Sequence, residues 1–343
     1  MENTNKIRIA VDAMGGDFAP GNEIEGIKLV YDANIEKDLE IVILGDETSI
    51  KNKLDSLNFH NKNISIIPTT ETITMHDNPV AAVKQKRNSS MIKSIELLKE
   101  KKVDGFISAG NTGAMLTTST LILGRLNGIS RPSIGTMLPT TKPYPVLIMD
   151  AGATLDLQPR FLYEYAIMGS IYYREVMKID NPTVGLLNVG EEESKGTSQL
   201  IETYNLLKSN PKINFVGNIE GRDILQGKTN LVICDGYTGN VVLKLSESLF
   251  YVLKDKMKAY AGSSITHKIK AGIAAPILKE AVAGFNYEIY GGVPLLGVNG
   301  VVIIGHGSSS PVAIKNMIIA AITSIKNNIC QKIEMAVNAD KNE

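Results

Sequence analysis

The feature that most constrains this chain is a repeated unit: an apolar run, a turn of Gly, Asn, Ser and Thr, and then a helix. The clearest copy is the segment 106–116, FISAGNTGAML, which follows an apolar run at 103–107. Strands that alternate with helices form parallel βαβ units, so the sequence predicts an α/β fold. Further strands are predicted at 7–11, 39–44, 64–67, 134–138, 146–150, 184–189, 231–234 and within 291–304. Helical spacing is found at 22–31, 80–102, 115–126, 161–177, 241–261 and 312–329.

The turn of the clearest copy has the properties of an anion site. Gly110 and Gly113 let the backbone turn sharply and approach a ligand closely, and Asn111 and Thr112 can cap the helix. The first N–H groups of a helix lack intrahelical partners, and the helix dipole adds partial positive charge there. Phosphate therefore fits this turn, with Ser108 at the end of the strand. An ordinary capped turn has the same composition, so both interpretations stay open.

Acidic and glycine residues also follow the first strand. Asp12 ends the apolar run, and Gly15, Gly16 and a second acid, Asp17, come directly after it. Open α/β sheets bind ligands outside the carboxyl ends of their strands. These residues are therefore candidates for the site, and the alternative is a tight loop capped by Asp17.

The turn after the strand at 231–234 resembles the clearest copy. It contains Asp235, Thr238, Gly239 and Asn240, and it leads into an amphipathic helix. Asn240 is placed before its helix much as Asn111 is. Two anion-binding turns in one chain predict a cleft that is lined from two sides.

Two further residues are candidates for acid–base and charge roles. His306 lies beside two glycines and is followed by Ser308 and Ser309, and an imidazole titrates near neutral pH. A lone loop histidine can equally be incidental. Lys195 lies in GEEESKGT, where neighbouring acids can hold its ammonium in place. The order Lys-Gly-Thr differs from the Gly-Lys-Ser/Thr of a P-loop, so a triphosphate site is not predicted.

Composition excludes several classes of protein. Lys plus Arg number 36, and Asp plus Glu also number 36, so the formal net charge is zero. A nucleic-acid-binding protein usually carries a basic excess, so nucleic-acid binding is not expected. No apolar run is long enough for a transmembrane helix, and no apolar signal region precedes the first strand, so a cytoplasmic protein is expected. No metal is expected because the histidines are scattered and no CxxC pair occurs. No GxGxxG occurs, so no nucleotide cofactor is expected.

Three helical segments suggest partners. The region 80–102 carries a local excess of basic residues, including Lys84, Arg87 and Lys93, which is either a solvated face or a docking surface. The region 255–285 has the composition of a cationic helical hairpin, which either lies on an anionic membrane or is a solvated excursion. The helix at 161–177 is apolar nearly all round, so it is either central in the core or shared with a second subunit, and we favour the second.

Seven ordered motifs carry a family resemblance. They extend over about residues 9–322 and read DAMGGDFAP, SAGNTGA, VGLLNVGEEESKGT, GNIEGRDI, CDGYTGNVVLKLSE, GGVPLLGVNGVV and HGSS. This order resembles the bacterial phosphate acyltransferases of phospholipid synthesis. The resemblance implies one domain over 1–343, with a three-layer α/β/α fold related to the isocitrate and isopropylmalate dehydrogenases and to the phosphotransacetylases. One position departs from the pattern, because Thr154 stands where asparagine is expected.

The resemblance also implies the reaction and the partners. A fatty acyl group moves from the thioester of acyl-carrier protein to inorganic phosphate, without a cofactor, and the acyl phosphate goes to a membrane glycerol-3-phosphate acyltransferase. The family implies a homodimer that associates peripherally with the membrane. The main requirement of this reaction is that phosphate is held in line with the thioester carbonyl. Phosphate would therefore be bound by the turns at 108–113 and 238–240, with Lys195 as the cation.

Donors to the carbonyl oxygen would be backbone N–H groups near 306–309 or the side chain of Asn111. The leaving thiolate would either take a proton from His306 or leave unaided, and the acidic carrier protein would dock on the basic region. Two rivals stay open: an NAD-dependent decarboxylating dehydrogenase on the related fold, and a non-catalytic tether between carrier protein and membrane.

Overall fold

A computed structural model describes residues 6–281 and 291–341 of the chain, and their strands assemble into two β-sheets. In chain order the strands are β1 (Ile7–Asp12), β2 (Leu39–Gly45), β3 (Ile64–Pro68), β4 (Gly105–Ser108), β5 (Ser133–Ile134), β6 (Thr136–Leu138), β7 (Val146–Met149), β8 (Thr183–Leu187), β9 (Asn214–Ile219), β10 (Leu231–Ile233), β11 (Val293–Leu296) and β12 (Val301–Ile304). The first sheet has seven strands in the order β3-β2-β1-β4-β12-β11-β5, and the second has five in the order β6-β7-β10-β8-β9.

Helices cover both faces of each sheet. In chain order they are α1 (Gly21–Asp32), α2 (Glu47–Ser56), α3 (Pro79–Gln85), α4 (Ser90–Lys99), α5 (Thr112–Thr118), α6 (Pro159–Met177), α7 (Ser198–Ser209), α8 (Gly221–Ile224), α9 (Gly236–Gly262), α10 (Ile265–Ala281), α11 (Pro311–Lys326) and α12 (Ile329–Lys341). In the first sheet, α1 and α11 cover the face of Ile9, and α4 and α5 cover the face of Ala10. In the second, α6, α7 and α12 cover the face of Leu147, and α8 with the start of α9 covers that of Ile148. The predicted three-layer α/β/α architecture is confirmed.

Strand register brings the polar turns of the first sheet together. β1, β4 and β12 are parallel neighbours, and Asp12 pairs with Ser108, which in turn pairs with Ile304. The residues that follow these three positions therefore leave the sheet at the same edge. This is the carboxyl edge at which parallel α/β sheets bind ligands.

The second sheet has the same arrangement. In its centre Ile233 of β10 lies beside Met149 of β7 on one side and Leu186 of β8 on the other, all in parallel strands. The turns that begin at 150, 188 and 234 therefore share the carboxyl edge of this sheet. Every candidate turn predicted from the sequence lies at one of these two edges.

Some elements differ from those predicted. The strand predicted at 134–138 divides at Gly135, so that β5 joins the first sheet and β6 the second. The glycine-rich segment 291–304 forms two antiparallel strands, β11 and β12, because Gly297 takes a positive φ of 88° that reverses the chain. The helical region 80–102 breaks into α3 and α4, since Asn78 and Ser89 each cap a separate helix. After the turn at 108–113, α5 continues beyond Thr118 as a short π-helical segment, Ser119–Leu123. The helix predicted to residue 126 therefore ends at Leu123.

The subunit interface predicted for the helix at 161–177 is not needed to explain its composition. This helix, α6, lies between α7 and α12 and packs on the second sheet. Tyr165 and Tyr173 are almost fully buried within the chain. The helix is apolar nearly all round because neighbouring elements of the same chain surround it.

The predicted helical hairpin consists of α9 and α10, which contact each other. Only the beginning of α9 packs on the second sheet, through Val242 and Leu243. Beyond that point apolar side chains face outward along both helices, including Leu245 on α9 and Ile265 on α10, which are 60% and 73% exposed. Residues 282–285 of the predicted excursion lie outside the described residues.

Candidate active site

The first group of candidate residues surrounds a buried carboxyl. Asp12 ends β1, and the hydroxyl of Ser108 donates to its Oδ2 at 2.7 Å. Gly15 and Gly110 lie directly above, so close that a Cβ on Gly15 would be 2.9 Å from the Cα of Gly110. Only glycine permits this approach of the two turns. Burial raises the pKa of Asp12 above its ordinary value, although hydrogen bonds from Ser90 and Ser108 act in the opposite direction.

The turn after β12 joins the same group. The N–H of Gly305 donates to the Ser108 carbonyl at 2.8 Å, and the N–H of Asp17 donates to the Gly307 carbonyl at 2.8 Å. His306 is exposed on this turn, and the hydroxyl of Ser308 lies 2.8 Å from its Nδ1. The N–H of Ser308 also donates to Nδ1 at 3.3 Å, so the neutral ring carries its hydrogen on Nε2. Nε2 is thus a hydrogen-bond donor at the edge of the site.

Asn111 caps α5, as predicted, because its Oδ1 accepts the N–H of Ala114 at 3.0 Å. Its Nδ2 faces the loop before α3, where the carbonyls of Thr74, Met75 and Asp77 lie at 3.1, 3.4 and 3.2 Å. The side chain thus holds the loop at 74–77 against the glycine turn. Its two amide hydrogens are engaged in this contact.

The second group of candidates packs against the turn at 150–154. Asp235 caps α9 and accepts both the N–H and the hydroxyl of Thr238, at 2.9 and 2.6 Å. The N–H of Gly236 donates to the Thr154 carbonyl at 2.9 Å. A Cβ on Gly239 would be 1.8 Å from the carbonyl oxygen of Asp150, so the two turns meet backbone to backbone.

Asp150 is the centre of this second group, although we did not count it among the candidates. Its carboxyl is fully buried and accepts four backbone N–H groups, from Ile134, Gly152, Ala153 and Thr154, at 2.7 to 3.2 Å. Burial raises its pKa to about 6, while these hydrogen bonds act to lower it. The signal in the sequence was an acid at a strand end followed by glycine, as at Asp12. Thr154 takes part through its backbone, which any residue could supply.

Lys195 lies in the loop between β8 and α7 with its side chain half exposed. Its ammonium is 4.0 Å from Glu192, and its carbonyl accepts the amide of Asn188 at 3.0 Å. The other two glutamates of this loop face other lysines, Glu191 pairing with Lys228 and Glu193 with Lys208. The acids therefore fix the loop, while in the described part of the chain the ammonium of Lys195 forms only the long ion pair with Glu192.

The turn at 150–154 packs against the second group and shares an apolar cluster with the first. Ala151 and Ala153 belong to the apolar cluster that also contains Ala114 and Met115 of α5. On its other side, a Cβ on Gly152 would be 3.6 Å from the Cβ of Asn240. The turn is thus linked to the helices that follow both glycine turns. A cleft lined by both groups stays a prediction.

Glu23 is a buried acid that we did not predict. It lies in the first turn of α1, below Gly16, and its side chain is 2% exposed. Burial, with a smaller contribution from the Asp12 carboxylate, raises its pKa to about 7. An acid in the first turn of a helix is common on solvated faces, so its position in the sequence carried no signal of burial.

The helix α3 contacts the first glycine turn, and the predicted basic residues lie on α3, after it and on α4. Pro79, which begins α3, lies beside Gly113, where an added Cβ would be 2.7 Å from its Cγ. Lys84 and Arg87 are exposed, and Lys93 forms an ion pair with Glu96 at 2.9 Å. Lys86 is directed toward Asp77 and lowers the pKa of that carboxyl to about 2.

Two searches of the described residues were negative. In the ranges 6–281 and 291–341, no three His, Cys, Asp or Glu side chains are grouped so that they could hold a metal ion. Within the same ranges, no helix combines the length and apolar character needed to cross a membrane.

The fold is shared with proteins of known structure. Over 94% of this chain and 95% of the other, the structure resembles the phosphotransacetylase from Streptococcus pyogenes, with a TM-score of 0.64 at 18% identity. The 4-hydroxythreonine-4-phosphate dehydrogenase from Klebsiella pneumoniae gives a TM-score of 0.50 at 12% identity, over 94% and 99% of the two chains. The chain therefore has the α/β fold that phosphotransacetylases share with dehydrogenases of this type, as predicted.

Sequence comparison identifies the family. The family model described as "Fatty acid synthesis protein" matches residues 7–332. The phosphate acyltransferase of Dictyoglomus turgidum is 43% identical over 332 residues, which is 97% of this chain and 98% of that protein. The chain belongs to the phosphate acyltransferase family, and the resemblance drawn from its motifs is confirmed.

Proposed function

We propose that this chain transfers a fatty acyl group from acyl-carrier protein to inorganic phosphate and releases an acyl phosphate for phospholipid synthesis. The observation that carries the proposal is the turn at 150–154, which meets the Gly239 turn backbone to backbone and shares an apolar cluster with the helix after the Gly110 turn, in a chain of this family. The names of its relatives support phosphate as the acceptor. Phosphate is itself a nucleophile, so the site needs to bind and align it but needs no nucleophilic side chain.

Phosphate would lie between the turn at 108–113 and the turn at 235–240. The N–H groups of Thr112 and Gly113 precede the first backbone hydrogen bond of α5, which runs from Met115 to Asn111. They are oriented for an anion, and the dipoles of both helices favour negative charge there. Lys195 would supply the counter-charge, since the glutamates that flank it fix its loop without neutralising it closely.

The reaction then follows from geometry. A phosphate oxygen attacks the thioester carbonyl carbon, the carbonyl oxygen becomes an oxyanion, and the C–S bond breaks to release the carrier thiolate. Nε2–H of His306 and the backbone N–H groups of the turn at 306–309 would stabilise the oxyanion, and the proton that hydrogen phosphate loses on becoming acyl phosphate would pass to the departing thiolate. We assign Asn111 a positioning role instead of an oxyanion role, because its amide hydrogens already hold the loop at 74–77.

The test is acyl phosphate formation from palmitoyl-carrier protein and labelled phosphate, with the product trapped as its hydroxamate. Lys195→Ala should lower kcat/KM about 100-fold or more, as expected for loss of a cation that stabilises transition-state charge. The matched control is Lys51→Ala, which removes a similarly exposed lysine whose ion pair with Glu47 lies within α2, and it should stay within about twofold. Carrier protein that binds without phosphate-dependent product would refute the enzyme and favour the tether. Hydroxy-acid oxidation with NAD would favour the dehydrogenase.

Carrier protein would dock on α3 and the start of α4. Pro79, the first residue of α3, packs against Gly113 of the glycine turn. Lys84 and Arg87 are exposed on and just after the same helix, and their positive charge would steer an acidic partner toward it. Reversing both charges to Glu should raise KM for carrier protein about tenfold at low salt, with less effect at high salt. The matched control reverses Lys99 and Lys102, which lie near the opposite end of α4 and precede β4. Equal effects from both pairs would exclude a localised docking surface.

The hairpin would provide self-association and peripheral attachment to membrane. The outward stripe on α9, including Leu245 and Leu249, needs cover, and a second copy of the chain could supply it. On α10, Ile269 and Ile273 are exposed beside Lys268 and Lys270, which suits an anionic lipid surface. Attachment there would release acyl phosphate close to the membrane glycerol-3-phosphate acyltransferase.

Separate measurements distinguish these two roles. Leu249→Glu should convert a dimer to monomer in sedimentation, whereas Ile269→Glu should abolish flotation with anionic vesicles and leave the dimer intact. A monomeric wild-type protein would refute the dimer.

A further inference from the structure

One carboxyl oxygen near the site lacks a partner. The Oε2 atom of Glu23 is buried and makes no hydrogen bond in the described ranges. Its Oε1 lies directly below the glycine turn, because a Cβ on Gly16 would be only 2.4 Å from it. Backbone hydrogen bonds from Gly16 and Glu23 act to lower the pKa of the carboxyl, but burial outweighs them. A buried carboxylate with one oxygen unsatisfied is unfavourable, whereas the neutral acid can itself donate a hydrogen bond.

The charged surroundings of Glu23 are acidic. Asp12 faces it from the end of β1, Asp17 lies on the turn between β1 and α1, and His306 lies on the turn after β12. Gly15 lies as close to the Asp12 carboxyl as Gly16 does to Glu23, since its Cβ would be 2.7 Å from Asp12 Oδ2. The Gly15–Gly16 backbone thus rests on two buried carboxyls. Of the groups that influence Glu23 in the described part of the chain, none is a lysine or arginine.

We propose that Glu23 is a positioning residue that makes phosphate affinity depend on pH: the neutral acid permits phosphate to bind above Gly16, and the carboxylate opposes it. This inference rests on the proposed function, because it takes the glycine turns as the phosphate site. The effect is electrostatic, because a buried charge is poorly screened and phosphate carries the same sign. Glu23 needs no contact with the substrate for this effect.

The substitution Glu23→Gln isolates the charge, since it keeps the shape of the side chain and cannot ionise. The matched control is Glu25→Gln, two residues along the same helix, where the carboxyl is 41% exposed and paired with Lys53. A second variant, Glu23→Met, tests the same charge with an apolar side chain in case the amide disturbs folding. Calorimetry with inorganic phosphate gives the dissociation constant of each protein from about pH 5.5 to about pH 8.5, on both sides of the pKa of Glu23.

The measured quantity is the ratio of the wild-type dissociation constant to that of the variant at each pH, which cancels the titration of phosphate itself. The ratio should be near one at acid pH and rise to about tenfold at the alkaline limit for both Glu23 variants. It should stay near one throughout for Glu25→Gln. A ratio that does not change with pH, or no phosphate binding by the wild type, overturns the inference. Phosphate binding with the expected ratio but without acyl transfer would instead refute the proposed function and leave the inference standing.

Discussion

Replacing Glu23 with glutamine should stabilise the folded protein at alkaline pH. Burial and Asp12 raise the pKa of Glu23 from its ordinary value of 4.5 to about 7. The folded state therefore holds this proton more tightly than the unfolded state, so its stabilising contribution is complete below pH 4.5 and is lost as pH rises through 7. With about 1.4 kcal/mol for each pKa unit, the loss amounts to about 3 kcal/mol. Glutamine has no charge to bury and escapes this loss.

Urea unfolding followed by circular dichroism would measure the effect. Between about pH 4.5 and about pH 8.5, the free energy of unfolding of Glu23→Gln relative to the wild type should grow by about 3 kcal/mol. The same comparison for Glu25→Gln should change little, because that exposed carboxyl gains only a surface ion pair with Lys53. A Glu23→Gln difference that stays constant within about 0.5 kcal/mol would refute the argument that this carboxyl is buried with a raised pKa.

Two further substitutions test the turns of the site. Asn111→Ala removes the cap of α5 and the tie to the loop at 74–77, and should cost about 2 kcal/mol in urea unfolding. Asn111→Ser keeps a cap acceptor, loses the tie and should cost less. Equal costs would mean that the tie dominates. Gly239→Ala forces a methyl group against the Asp150 carbonyl, so it should destabilise the protein by about 2 kcal/mol or more and reduce acyl transfer. A variant with unchanged stability and unchanged acyl transfer would contradict the close approach of the two turns.

The sequence was sufficient to predict the strands and the glycine turns that follow them because periodicity and turn composition are local properties. Apolar runs with glycine-rich ends predicted β1, β4 and β10, and the parallel register then placed Asp12 and Ser108 side by side. Elements whose boundaries depend on pairing with distant parts of the chain could not be predicted as well from the sequence. Gly135 divides one apparent strand between two sheets, and nothing local to 134–138 distinguishes that from a continuous strand.

Two buried acids illustrate what sequence could not supply. Asp150 and Glu23 both owe their raised pKa to burial, which depends on elements far away in the chain. Asp150 at least follows a strand and precedes glycine, a pattern shared with Asp12. Glu23 looks like an ordinary first-turn acid until α1 is packed against the sheet. The commitment of the Asn111 amide to a loop more than thirty residues earlier was equally beyond local inference.

The length of α9 sets the distance between the Asp235 turn and α10. This helix has 27 residues, so it extends about 40 Å, and its first residue belongs to the Asp235 turn while its last adjoins α10. If the hairpin rests on lipid as proposed, α9 would hold the Asp235 turn at a fixed distance from the bilayer. An acyl phosphate is a mixed anhydride that water hydrolyses, and its hydrocarbon tail is poorly soluble. The helix would then define how far this product must be shielded on its way to the membrane, and shortening α9 by whole turns would change that distance in steps of about 5 Å.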